Sequence, residues 1–228
     1  MRSFTYWTAP LPGGGTSEET ALTFDQDREC RLLVLPSLFD EANKLRRQTV
    51  EVMHRLDLSG IDSILPDLPG CNDSPQPSGT QTLEDWRFAA ETAALHFKAT
   101  HLLTIRCGAL LAPDDLPGWR YAPVNGRSIV RSMIRARTIA AKEAGADESS
   151  SELEKIARQQ GIELAGWGIG KDLFASLYDA KIPENDMLID IEQGIVGGPG
   201  LWMRAEPDED PEQADALAAI IAIGLADQ

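Results

Sequence analysis

The stretch His101–Ala112, HLLTIRCGALLA, decides how this chain is read. HLLTIR is a continuous apolar run ending in a charge, the pattern of a strand buried on both faces of a parallel sheet. CGALLA opens a short helix with no loop residues between, so the chain must reverse sharply across Thr104–Gly108 (TIRCG). Upstream, Arg31–Pro36 (RLLVLP) is a second such run. It leads into a helix from about Asp40 to Leu58, whose Leu45, Val52, Met53 and Leu56 fall on one side with charges opposite. Ser59-Gly60 ends that helix. Ile61–Asp67 (IDSILPD) reads as the next strand, and Leu68 to Gly79 is a loop dense in Pro, Gly, Asn, Asp and Ser. Thr82 with Asp85 forms a helix N-cap pair, ahead of Trp86, Ala90, Ala93, Ala94 and Phe97 at helical spacing. Three strand–helix units in succession predict a doubly wound, mostly parallel sheet with right-handed crossovers.

Outward from these units the signals are less regular. Residues 1–16 are rich in Gly and Pro and read as a loose lead-in, with Thr20–Phe24 a short strand. Downstream, Trp119–Val124 reads as a strand and Arg127–Ala144 as a helix. Ser151 with Glu154 is expected to cap a further helix ending near Gly161, and Asp172–Tyr178 reads as helical. Gly200–Ala205 is expected to be the last strand. Asp210-Pro211 opens a final helix, Glu212–Ala226, because Asp caps well and Pro suits the first helical position. That helix is apolar over most of its surface and is expected to pack on the sheet.

Length and charge narrow the function classes. A chain of 228 residues, 43% apolar, buries one sizeable core, so a single domain over 1–228 is expected. The net charge of -15 argues against nucleic acid as a partner and requires any anion site to be a local basic cluster. Met1–Gly15 has no apolar stretch that would serve as a signal-peptide core, and the longest apolar run, Ala216–Ala226, is too short to span a bilayer. Cys30, Cys71 and Cys107 have neither the number of a disulfide framework nor metal-ligand spacing. The expectation is a cytoplasmic protein with reduced thiols, no metal and no cofactor.

Resemblance enters through the loops expected at the carboxyl ends of the strands, where ligands bind in open α/β sheets. Asp67–Ser74 (DLPGCNDS) is similar to the Asp-x-x-Gly-x-Gly-x-Ser loop that follows the fourth strand of α/β-hydrolases, and TIRCG occupies the place of their Gly-x-Ser-x-Gly nucleophile elbow. Taken in order with FDEANKLRR at 39–47, Pro123-Val124-Asn125-Gly126, ELAGW at 163–167 and GGPGLW at 197–202, these motifs make the chain from about Leu33 to Ile220 resemble the exosortase A system-associated hydrolases. The second type is the nearer match, a serine-aminopeptidase-like group found with exopolysaccharide and protein-sorting systems. The resemblance implies an α/β-hydrolase fold with a helical lid at 125–182. The chain is short for that fold, so one or two strands are expected to be missing from its second half.

The departure from the pattern carries the functional reading. Thr104 and Gly108 take the two elbow glycine positions and Arg106 takes the nucleophile's. A guanidinium stays protonated and is no nucleophile. In the resembling group arginine at the elbow is not unusual, so its name describes ancestry more than activity. His54 and His96 each lie 14 residues into their helices, roughly 21 Å from the strand tips at about 1.5 Å per residue. His101 starts the strand that ends in Arg106 and lies roughly 16 Å from it at about 3.3 Å per residue. None reaches the elbow as a general base. Where such hydrolases place their histidine, the chain reads Glu206-Pro207-Asp208-Glu209.

Several residues remain as candidates. Arg106, at a helix N-terminus, with Arg46 and Arg47 nearby, would hold a carboxylate, phosphate or sugar acid. The other arrangement open to Arg106 is a fork onto Glu41 or Asp67 that ties loops together. Cys107 is the remaining nucleophile in the turn, with a small buried hydrophobe as its plainer role. Glu41, Asn43, Asp67 and Asp73 crowd the same rim, as acid–base groups or as caps and turn residues. Arg127, Arg131 and Arg135 form a basic stripe at helical spacing, either a solvated face or a contact for an anionic lipid, a polysaccharide or a partner helix. Trp119, Trp167 and Trp202 are expected in a pocket below the lid or in the core. The leading reading is a non-hydrolytic binding or accessory protein for an anionic small molecule, a sugar acid or a protein. The alternatives are a hydrolase or acyl-transfer enzyme based on Cys107 or Arg106, and a structural subunit of a homodimer or complex.

Overall fold

In the computed structural model, which describes residues 2–227, seven strands form one sheet. They are β1 (Arg2–Pro10), β2 (Thr16–Phe24), β3 (Arg31–Leu35), β4 (Asp62–Pro66), β5 (His101–Ile105), β6 (Gly118–Tyr121) and, after a two-stranded hairpin of β7 (Ile162–Leu164) and β8 (Trp167–Ile169), β9 (Leu188–Ile191). The order across the sheet is β1-β2-β4-β3-β5-β6-β9. β1 and β2 run antiparallel, β2 runs antiparallel to β4, and every remaining neighbour pair is parallel. The central strands are those with continuous apolar runs: Leu32, Leu33, Val34, Leu35, Leu102 and Leu103 have no exposed surface.

Both faces are covered. On one lie α1 (Asp40–Leu58) and α7 (Pro211–Ala226), which meet through Leu45, Val52, Met53 and Leu56 on the first and Ala214, Leu217 and Ile221 on the second. On the other lie α2 (Leu83–His96), α3 (Gly126–Glu143), α4 (Ser150–Gln160) and α5 (Lys171–Asp179), while α6 (Gln193–Val196), a single turn after β9, packs through Val196 on the α1/α7 side. The Thr82–Asp85 capping box is formed, and Asp210 accepts from the N–H groups of Glu212 and Gln213 at the start of α7. The segment 125–182 holds α3, α4, the β7–β8 hairpin and α5, between β6 and β9.

Three expectations need correction. The Gly/Pro-rich residues 2–16 are not a loose lead-in, residue 1 lying outside the described residues. They form β1 and a tight turn, in which Leu11 N–H donates to the Gly15 carbonyl (3.1 Å) and Gly13, Gly14 and Gly15 all have positive φ. The glycines belong to the turn alone, and the strand before it buries Trp7 and Ala9 while exposing Phe4 and Tyr6. Gly200–Ala205 is not the last strand. Leu201–Met203 is a 3-10 turn, because the Gly-Gly-Pro-Gly run before it bends the chain, with Gly197 and Gly198 at φ 89° and 68°. The last strand is β9, whose Ile189 and Asp190 are exposed and so break the apolar run expected of a buried strand. The cap of α4 is Ser149, which accepts from the Glu152 N–H, not Ser151 with Glu154. The same Ser-x-x-Glu box occurs two residues earlier and starts the helix there. From β9 the chain reaches α7 without adding another strand to the sheet, so the second half of the fold is trimmed.

Candidate functional site

The carboxyl ends of β3, β4 and β5 meet at the turn after β5. Arg106 sits there with φ 55°, a left-handed conformation that bulky residues rarely adopt. The reversal has a steric reason on its far side. A Cβ at Gly108 would lie 2.3 Å from the Pro36 carbonyl oxygen and 2.6 Å from that of Leu35, so the turn packs on the end of β3 only with glycine. The backbone is thus the sharp strand-to-helix elbow at which α/β-hydrolases present a nucleophile, with an arginine at its tip.

Of the two arrangements open to Arg106, the structure has the fork on Glu41. Nε donates to Oε2 (3.1 Å) and Nη2 to Oε1 (3.2 Å), while Nη1 donates to the Ala122 carbonyl (3.1 Å). The guanidinium carbon lies 3.9 Å from the centre of the Trp202 ring. Glu41 also accepts from the Ser37 hydroxyl (2.9 Å). Both charged side chains are nearly buried, 12% exposed for Arg106 and 9% for Glu41, and the bidentate geometry compensates their desolvation. The sequence reading missed Trp202 as a partner. Its signal was the GGPGLW motif, whose bend carries the indole back over the elbow.

The other two arginines go elsewhere. Arg46 pairs with Asp67 (3.3 Å), which also accepts from the Asn72 amide. Burial pushes the Asp67 carboxyl above its ordinary range, against the pull of Arg46 and Asn72. Arg47 reaches the other way, to Glu209. Each arginine therefore has its own carboxylate, and the three do not converge on one pocket. Asn43 is exposed on α1, and so is Asp73 in the loop after β4.

Cys107 is fully buried. Its sulfur accepts from the Leu38 N–H (3.3 Å) and lies 3.3 Å from the Ser37 hydroxyl. Burial, reinforced by Glu41, pushes the thiol up to about 11, so it is protonated at neutral pH. Burial also pushes Cys71 up to about 12. The histidines lie toward the amino ends of the strands. His101 opens β5 and stacks on Trp119 (6.2 Å), His96 ends α2 against Phe97 (4.7 Å), and His54 lies beside Phe24 (6.1 Å). In the segment 206–209, Glu209 and Asp208 serve as partners of Arg47 and Arg204.

Trp119, Trp167 and Trp202 do not share a pocket. Trp119 packs in the α1/α7 layer and Trp202 covers the elbow. Trp167, from β8, stands edge-on to Phe39 (5.7 Å), and Phe39 also packs on Trp86 (5.8 Å). Phe39 and Trp167 narrow the cleft between Ser37, Leu38, Asp67 and Asn72 to about 20 Å³, room for about one water molecule. Among the described residues, no cluster of His, Cys, Asp and Glu is arranged to hold a metal ion, and no helix is long and apolar enough to cross a membrane.

With this geometry in view, comparison with known proteins gives the fold. No protein-family model matches the chain, and no curated protein sequence matches it. Solved structures do. A ferulic-acid-bound Est1E from Butyrivibrio proteoclasticus superposes with a TM-score of 0.60 at 10% identity, over 97% of this chain and 98% of that one. A candidate hydrolase from Agrobacterium vitis S4 gives 0.55 at 11%, over 100% and 98%. The α/β-hydrolase GrgF from a Penicillium species gives 0.50 at 13%, over 80% and 74%. The chain has the α/β-hydrolase fold.

Proposed function

We propose that this α/β-hydrolase-fold chain works by binding and not by serine-triad hydrolysis, as an accessory component in the exopolysaccharide and exosortase setting that its sequence motifs imply. One observation carries the reading: the elbow tip is an arginine already forked onto Glu41 and covered by Trp202. The histidines at the opposite edge of the sheet and the closed cleft support it. The thiol alternative is weakened by burial, since a Cys107 held protonated and donated to by Leu38 is a poor nucleophile. A ligand of this rim, an anionic small molecule or a sugar acid, would meet the solvent-reaching Arg46 and Arg47, beside Asn43, before it met Arg106.

The test is a panel of fluorogenic acyl and aminoacyl esters, run on wild type, Cys107→Ala and Arg106→Ala. No turnover above buffer is expected in any form. Turnover in wild type that disappears in Cys107→Ala would replace this reading with a thiol enzyme, and loss confined to Arg106→Ala would point to Arg106-dependent chemistry. A second reading, a subunit of a homo-oligomer, is favoured by the position of β9 as the last strand of the sheet, with Ile189 59% exposed on it and Ile223 63% exposed on α7. Light scattering across a concentration series tests it, and a mass fixed at that of the monomer ends it.

A further inference from the structure

The segment 125–182 differs in charge from the rest of the molecule. It carries nine Lys/Arg against eight Asp/Glu, whereas the whole chain has 21 against 36, so the acidic excess lies outside it. Within it three arginines gather around one ring. Arg127 and Arg131 on α3 and Arg158 on α4 place their guanidinium carbons 4.7, 6.0 and 4.5 Å from the centre of Tyr178 on α5. Tyr178 is buried beneath them and stacked on Phe174 (6.0 Å), so the ring is a fixed base and the three exposed cations stand over it. Its hydroxyl donates to Glu154 (3.1 Å) and accepts from Arg131 at 3.5 Å.

Two carboxylates accompany the three arginines, Glu154 on the Tyr178 hydroxyl and Asp179 beside Arg127, so the group keeps a net positive charge. Arg127 meets Asp179 at 3.7 Å, with both side chains more than half exposed, and Arg131 and Arg158 form no ion pair among the described residues. Three like charges gathered within 6.0 Å of one ring centre repel one another, and attraction to that ring offsets only part of the repulsion. Guanidiniums in this arrangement present forked donors to a single incoming oxyanion. A phosphate ester, with nearly two negative charges and three acceptor oxygens, matches the cluster better than a carboxylate does.

We propose that the α3–α4–α5 surface at Tyr178 binds a phosphate group, borne by a soluble phosphoester or by a lipid headgroup. The site shares no residue with the elbow and goes beyond the function proposed above. The test is calorimetric titration with inorganic phosphate at low salt, and in parallel co-sedimentation with phosphatidylcholine vesicles with and without phosphatidic acid, whose headgroup is a phosphate monoester. The proteins are wild type, the double variant Arg131→Gln/Arg158→Gln, and Lys142→Gln, which removes an exposed cation on the same helix outside the cluster. Saturable binding is expected in wild type and Lys142→Gln, weakened at least about tenfold in the double variant. Sedimentation dependent on phosphatidic acid and lost in the double variant assigns the headgroup, and phosphate binding without sedimentation assigns a soluble phosphoester. Equal binding by wild type and the double variant, or none by wild type in either arm, overturns the proposal. Neither arm involves ester hydrolysis, so the two proposals fail separately.

Discussion

The two rims of the sheet each bury a carboxylate against arginine, and they do so differently. At the amino rim Asp62 has no exposed surface and accepts from the backbone N–H groups of Gln26 (3.1 Å) and Arg28 (2.8 Å), and from the guanidiniums of Arg28 (3.0 Å) and Arg31 (3.5 Å). It pins the connection from β2 to β3 into the sheet. At the carboxyl rim Glu41 accepts, among the described residues, only from side chains, those of Arg106 and Ser37. The first network is bonded into the backbone and belongs to the fold. The second joins residues that could each be replaced without unmaking a strand, at the point where this fold elsewhere performs chemistry. Burial of an ion pair alone therefore does not separate scaffold from site; the kind of donor does.

Four measurements can break or sharpen that contrast. The largest effect is expected for Asp62→Ala, which strands the backbone N–H groups of Gln26 and Arg28 and takes a shared carboxylate from Arg28 and Arg31, although these keep Asp57 and Asp25; it should lower unfolding stability in urea by roughly 3 kcal/mol. Glu41→Ala should cost less, roughly 2 kcal/mol, because Arg106 keeps the Ala122 carbonyl and the Trp202 face. If Glu41→Ala proved the more damaging of the two, the contrast would be wrong. A double-mutant cycle between Trp202→Ala and Arg106→Met should return a coupling of about 1 kcal/mol for the stacked pair, and a coupling near zero would reduce Trp202 to a passive cover.

The smallest effect is one of sign with pH. Arg31 beside Asp25 holds that carboxyl down to about 2, and Asp57 is also lowered, burial there being outweighed by Arg28 and Gln26. An acid whose folded value is depressed contributes stability above its unfolded value, near 3.9, and loses it as pH falls toward the folded value. Asp67 and the buried Glu19 are raised, by burial in both cases. Such groups bind protons more readily in the folded state, so stability falls as pH rises through their range. Urea midpoints between pH 6 and pH 2 should lose part of their acid fall in Asp25→Asn. Asp67→Asn should instead remove a loss seen on the way up.

What the sequence disclosed depended on how local each signal was. β3, α1, β5 and the caps at Thr82 and Asp210 follow from apolar runs and from residues within a turn of one another. Position 106 was legible as the elbow tip through the resemblance of TIRCG to the α/β-hydrolase elbow. β1 was hidden because half of its residues face solvent and its glycine-rich turn dominated the composition. β9 was hidden because its short run is broken by exposed Ile189 and Asp190. The partners of Arg106 were only half legible. Glu41 was in view through the neighbouring loop, whereas Trp202 arrives from the far end of the chain by a bend that no periodicity encodes.

The fork at the elbow also bears on reversibility. A serine at position 106 would leave Glu41 buried with only Ser37 as a donor, strip the Ala122 carbonyl of its guanidinium partner and open a void under Trp202. It would still have no histidine within reach. Any route from this elbow to a seryl one therefore crosses intermediates less stable than either end, a valley in sequence space that single substitutions do not bridge.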